Sequence, residues 1–270
     1  MAAVRSAAVA GAFYPGEAAT LRRMVEGLLP PGADRRSAIA VVSPHAGYVY
    51  SGGVAGAVFA SVEVPAVVVI LGPSHRPIRP LFALMNAGSW ETPLGPVPVD
   101  GSLADDILAG LPTAAEDASA HAREHSLEVQ LPFLQVVRPR VSIVPIAVSA
   151  RAGYADLSAL GEALASAFQT RKERPLLVAS TDMSHYISRA EARTKDFLAI
   201  EAIRRLDPRG LFDTVLGEEI SMCGFQPAVA VLAAALILGA TRAELVAYAT
   251  SADRTGDDRE VVGYAGLRIF

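Results

Sequence analysis

Six side chains in this sequence combine the type and the placement to bind a metal or carry a proton near neutral pH: His45, His75, His121, His125, His185 and the single cysteine, Cys223. Three of the histidines follow short apolar runs rich in Val and Ile. Ala38 to Ser43 leads into Pro44-His45-Ala46-Gly47-Tyr48, Ala66 to Leu71 into Gly72-Pro73-Ser74-His75, and Pro175 to Ser180 into Thr181-Asp182-Met183-Ser184-His185. Such runs, with little apolar/polar alternation, read as strands buried on both faces. Ligands of open α/β sheets sit just beyond the carboxyl ends of their strands. One crevice can therefore collect His45, His75 and His185, where neutral imidazole serves as metal ligand or general base.

The neighbours of these histidines have two readings each. Asp182, three residues before His185, can orient an imidazole or join a metal directly, or it can cap a turn. Cys223, in Met222-Cys223-Gly224-Phe225-Gln226-Pro227, stands at the expected start of a helix. It is either a small buried hydrophobe or a thiolate available to a metal. His121-Ala122-Arg123-Glu124-His125 matches the H-x-x-E-H pattern of inverted zinc peptidases, which requires a continuous helix. The preceding stretch, Pro112 to Ala120, reads as a loop, and Ser126 reads as a helix start. The segment is thus expected to be a loop entering a helix, dropping His121, His125 or Glu128 toward the pocket. Tyr48, just after His45, is a further candidate for the pocket wall.

The elements that must position these residues alternate. Besides the three strands above, Val141 to Val148, Leu245 to Thr250 and Val261 to Ile269 read as strands. Helical spacing covers Glu17 to Leu29, Gly53 to Val62, Ser126 to Val137, Leu157 to Phe168, Arg189 to Leu206, Pro208 to Leu216 and Pro227 to Leu238. Alternation of this kind predicts an α/β fold: one domain over residues 1–270, with a central, mostly parallel or mixed sheet flanked by helices. The Pro-rich stretch Glu91 to Val99 reads as a surface loop or short hairpin. No internal repeat or linker interrupts the chain.

At 270 residues, 51% of them hydrophobic and 19% charged, the chain has the composition of a well-buried globular protein. A net charge of −4 with no basic cluster argues against a nucleic-acid partner. The apolar N-terminus, Met1 to Ala12, is short, and Ala228 to Ala240 is too short to span a bilayer, so neither a signal peptide nor a membrane partner is expected. One cysteine excludes an internal disulfide and suits a reducing compartment, so the expected location is cytoplasmic. Phosphate-cradling and G-x-S-x-G nucleophile motifs are absent from the sequence.

Read in order, Ala10-Gly11-Ala12-Phe13-Tyr14-Pro15, Pro44-His45-Ala46-Gly47-Tyr48, Gly72-Pro73-Ser74-His75, Trp90-Glu91-Thr92-Pro93-Leu94-Gly95, Glu124-His125-Ser126-Leu127-Glu128, Ser180 to His185, and Cys223-Gly224 resemble the Memo-like proteins. The resemblance continues through Tyr248-Ala249-Thr250-Ser251 and Gly263-Tyr264-Ala265. It implies the fold of the LigB-type class III extradiol dioxygenases, which use non-haem iron(II). It also implies His45, His75 and Cys223 as metal ligands, with Asp182 and His185 in the same pocket and His185 as acid/base. A cysteine in place of the dioxygenase carboxylate shifts preference toward softer metals. In bacteria and archaea the family is similar to protein B of the AmmeMemoRadiSam system, implying AMMECR-domain and radical-SAM proteins as partners.

The expected function is that of a metal-binding oxidoreductase acting on a small-molecule or peptide ligand, with iron the first metal and copper or zinc the alternatives. Two other readings are a non-catalytic metal- or ligand-binding adaptor and a zinc-dependent hydrolase.

Overall fold

The four central apolar runs form the parallel heart of a nine-stranded mixed sheet. The structure, a computed structural model, describes residues 3–169 and 171–270. Its strands are β1 (Val4–Arg5), β2 (Ala40–Ser43), β3 (Val67–Pro73), β4 (Phe82–Leu84), β5 (Ser89–Thr92), β6 (Gly95–Pro98), β7 (Ala114–Glu116), β8 (Ser142–Val148), β9 (Leu176–Ser180), β10 (His185–Ile187), β11 (Ala243–Thr250) and β12 (Val261–Ile269). The large sheet runs β10-β12-β2-β9-β3-β8-β4-β7, with β11 paired to β12. Pairing is parallel across β2, β9, β3 and β8, and antiparallel where β12 meets β2 and where β4 meets β8. A separate three-stranded sheet, β1-β5-β6, contains the hairpin read from Glu91 to Val99.

Both faces of the parallel strands are buried, which explains why their sequences do not alternate. Val69, Leu71, Val144, Ile146, Leu177 and Ala179 face one core, which the helices Gly101–Gly110, Tyr154–Phe168, Arg189–Arg204, Pro208–Gly217 and Phe225–Ile237 complete. Val41, Val68, Ile70, Ile143, Leu176 and Val178 face the other, closed by the helices Ala18–Leu28, Tyr48–Ala60 and Leu131–Val137. The most apolar stretch is the buried helix expected for it. Among the described residues, no helix is long and apolar enough to cross a membrane.

Three expectations need correction. The helix expected from Gly53 begins at Tyr48, directly after Gly47. Aromatic and β-branched residues are weak helix formers, but here Tyr48 is buried and donates its hydroxyl to Val129 O at 2.6 Å, so tertiary contacts decide. The helix expected from Ser126 starts as a 3-10 turn at Glu128–Gln130 and becomes α-helical only at Leu131. Pro132 has no N–H, and its ring would clash with the carbonyl four residues back, so it is tolerated only in the first helical turn. The stretch Pro112 to Ala120, read as a loop, carries β7 and the start of a short helix, Ala118–His121.

The helices Tyr154–Phe168 and Phe225–Ile237 pack close enough that Gly161 has no room for a side chain. A Cβ there would meet Ala233 Cβ at 2.7 Å and Ala234 N at 2.9 Å. Alanine would gain about 1 kcal/mol of helix propensity over glycine. Overpacking against backbone costs about 1–3 kcal/mol and outweighs it. Gly161→Ala is therefore expected to lower the denaturation midpoint, measured by urea titration, despite being the better helix former.

Candidate metal centre

The loops after β2 and β3 project His45 and His75 toward each other, and the turn after the helix Ala118–His121 adds His125. One nitrogen from each ring lies within 4.8 Å of the other two. The rings of His45 and His75 meet edge-on at 5.4 Å, those of His45 and His125 edge-on at 5.5 Å, and those of His75 and His125 stack at 4.6 Å.

The hydrogen-bond network assigns the tautomers. Ser180 Oγ donates to Ser126 O at 2.6 Å and accepts from Gln130 Nε2 at 2.9 Å. Its single proton is thus committed, so at 3.0 Å it accepts from His45 Nδ1–H, which puts the ring's lone pair on Nε2. His75 Nδ1 donates to Glu124 Oε1 at 2.9 Å, which puts the lone pair of the neutral ring on Nε2. A carboxylate behind a ligating imidazole fixes its orientation and raises its basicity. Glu124 does more: it also accepts from the backbone N–H of His75 at 2.7 Å and of His125 and Ser126 at 2.9 Å each. These donors fit a three-imidazole site for a divalent or redox metal ion.

Electrostatics support the same use. Burial, then the nearby His75, hold His45 down to about 3. Burial, then His45, hold His125 down to about 4. Both are neutral at physiological pH, the state in which imidazole binds a metal. The Glu124 hydrogen bond instead raises His75. Burial alone would raise Glu124, but its bonds with His75 and with the Ser126 N–H hold it well below the usual carboxylate range.

Asp182, His185 and Cys223 flank this group. Asp182 Oδ1 accepts from the His45 N–H at 2.8 Å, and Oδ2 lies 3.9 Å from His45 Nε2. Burial pushes the Asp182 carboxyl up. His185 is held by Ser221, donating Nδ1–H to its carbonyl at 2.9 Å and N–H to its hydroxyl at 2.8 Å, so its Nε2 is open. Cys223 Sγ lies 3.3 Å from His45 Nε2 and accepts from the Asp182 N–H at 3.3 Å, outside the three-imidazole group. Burial, then Asp182, push its thiol up, so it keeps its proton in the metal-free state.

Of the residues expected in the pocket, the structure gathers His45, His75 and His125, with Asp182, His185 and Cys223 alongside. Tyr48, His121 and Glu128 point elsewhere. The Tyr48 hydroxyl is turned to Val129 O, inside the core that contains Phe133. His121 donates Nε2–H to Ala83 O at 3.1 Å and sits edge-on to Trp90. Burial, then the Arg5 charge, hold it down to about 4. Glu128 is paired with Arg5. The sequence reading missed Glu124 as an orienting group, although it stands inside H-x-x-E-H, and it missed Ser180 and Gln130 altogether. A cavity of about 550 Å³ lined by Arg35, Val62, Arg138 and Arg174 lies near the amino ends of the parallel strands, away from the histidines.

Two outcomes follow. In Glu124→Gln the amide nitrogen would oppose N–H donors, so metal affinity, measured by competition with a chelator, is expected to fall about 10–100-fold. The second concerns acid. Because His121 falls from 6.5 to about 4 on folding, the unfolded chain takes up its proton first as pH drops. Stability is whole above that window and is lost as pH falls through it. His45 and His125 act with the same sign. Urea titrations should therefore show a smaller stability loss for His121→Phe than for the native chain between neutral pH and about pH 4.5.

The chain was compared with known proteins. The family described as Memo-like protein matches residues 5–268. A MEMO1 family protein of Aquifex aeolicus is 41% identical over 268 residues, covering 98% of each chain. One from Methanothermobacter thermautotrophicus is 38% identical over 276 residues, covering 98% of this chain and 99% of its own. A crystal structure of an uncharacterized protein from Escherichia coli K12 superposes with a TM-score of 0.58 at 14% identity, covering 86% of this chain and 99% of that one. At that identity the likeness concerns fold alone. The full-length relatives and the family match together establish that the chain belongs to the Memo-like protein family.

Proposed function

We propose that the chain is a metal-dependent oxidoreductase whose ion, non-haem iron first, is held by His45, His75 and His125. The observation that carries this reading is the trio of imidazoles, each with one nitrogen within 4.8 Å of the other two, while Ser180 and Glu124 hold the Nδ1 atoms of His45 and His75. The ion supplies Lewis acidity or a redox couple. The protein's own groups manage protons: His185 presents an open Nε2, and Asp182, raised by burial, is biased toward holding a proton beside His45. His75 is about one-third exposed and His125 less so, which leaves a side of the centre open to a small-molecule ligand. Three imidazoles also suit zinc, so the identity of the ion separates an oxidoreductase from a hydrolase. An AMMECR-domain protein and a radical-SAM protein are the proposed partners, on the strength of the family resemblance.

Anaerobic purification followed by elemental analysis tests the reading. The native chain is expected to carry iron, and His45→Ala and His125→Ala to lose it. Cys223→Ala is expected to retain metal, because its sulfur stands outside the imidazole group. Metal content unchanged in both histidine variants would sink the assignment, and zinc in the native chain would favour the hydrolase.

A further inference from the structure

A buried ion pair outside the proposed coordination site grips the loop from which His125 and Glu124 project. Arg5 is 5% exposed and lies 4.2 Å above the Trp90 ring. It directs three nitrogens onto one loop: Nε donates to His121 O at 3.0 Å, Nη2 to Glu124 O at 2.6 Å and Nη1 to the Glu128 carboxylate. Glu128, fully buried, also accepts from the N–H groups of Ala8 at 2.8 Å and Val9 at 3.1 Å and from the Tyr14 hydroxyl. The loop is thus clasped at two carbonyls by Arg5 and at one side chain by residues 8–14. Further along, the Phe13 ring lies 4.7 Å from that of His125, and Phe13 O accepts the Tyr48 N–H at 2.8 Å. The docked strand needs Gly88: a Cβ there would fall 1.8 Å from Ala3 O, where Ser89 N donates at 3.0 Å.

We infer that the N-terminal segment, residues 4–14, is a working part of the metal centre, with Arg5 as a positioning residue for Glu124 and His125. A buried ion pair adds little net stability once desolvation is counted, and its better-attested use is to fix one arrangement of the chain. Here the arrangement is specific. The carboxylate of Glu124 is held by His75 and two amides, and its carbonyl by Arg5, so its peptide is pinned at both ends. A guanidinium fork reaches three acceptors at fixed angles, which an ammonium point charge does not. The inference rests on the reading of His45, His75 and His125 as ligands.

The probes are Co(II) and Zn(II) alone, titrated against a chromophoric chelator, with the visible spectrum of the Co(II) form recorded. Arg5→Lys keeps a charge opposite Glu128. The double variant Arg5→Met with Glu128→Gln removes both charges, so that neither is buried unpaired. Leu160→Ala, in the core on the other face of the sheet, supplies a loss of stability that does not touch the loop. Both Arg5 variants are expected to bind about 10–100-fold more weakly and with an altered Co(II) spectrum, while Leu160→Ala matches the native chain in both. Arg5 variants with native affinity and native spectrum overturn the inference and leave the ligand reading standing. A native chain that binds neither ion overturns the ligand reading itself.

Discussion

The carboxylate of Glu124 accepts four N–H groups from two segments about fifty residues apart, and the centre depends on it. Burying a carboxylate costs several kcal/mol unless its lone pairs are satisfied. Here they are satisfied by the backbone and ring of His75 together with the backbones of His125 and Ser126. The loop after β3 and the loop that carries His125 therefore move together or not at all. Among the described residues His75 Nδ1 has no other hydrogen-bond partner, so this bond sets the tautomer of its neutral ring.

His45 is positioned by a different physical route. It stands behind a neutral hydroxyl, Ser180, rather than a carboxylate, and at 2% exposure its cation is strongly disfavoured. Had Ser180 been an acid, it would have stabilised the imidazolium. A positive ring there would repel any charge carried by His75 in the same cluster. The network Gln130–Ser180–Ser126 sets the His45 tautomer without charging it. The Glu124 carboxylate raises His75 while burial lowers His45 and His125, so the three rings are tuned apart within one cluster.

The sequence disclosed the sheet because its signals were local. Ala40–Ser43, Val67–Pro73, Ser142–Val148 and Leu176–Ser180 are apolar on both faces, and the strand-end rule then pointed to His45, His75 and His185. The short strands β1, β4, β7 and β10 were invisible, since two or three residues carry no period and owe their conformation to neighbours already in place. Glu124 stands inside a peptidase pattern that needs a continuous helix, whereas the loop-like residues before it and Ser126 after it argue for a loop. The structure has a turn at residues 122–127, as that reading expects, and His121 and His125 diverge, one into the core beside Trp90 and one into the cluster. Arg5 gave no signal at all: one arginine in an apolar stretch looks like surface, and only the fold shows that its acceptors lie 116 to 123 residues away.

Cys223 shows how the two sides of the centre differ. On the imidazole side, hydrogen bonds behind the rings expose lone pairs, which attract a cation. On the other side, burial raises both Asp182 and Cys223, which disfavours their anions, and the backbone N–H of Asp182 is already donated to the sulfur. A thiol becomes a thiolate ligand only when a metal displaces its proton. Cys223 Sγ lies 3.3 Å from His45 Nε2, so that nitrogen faces a thiol rather than a sulfur anion. The division into a lone-pair side and a proton-holding side follows from which groups the backbone satisfies and which it only buries.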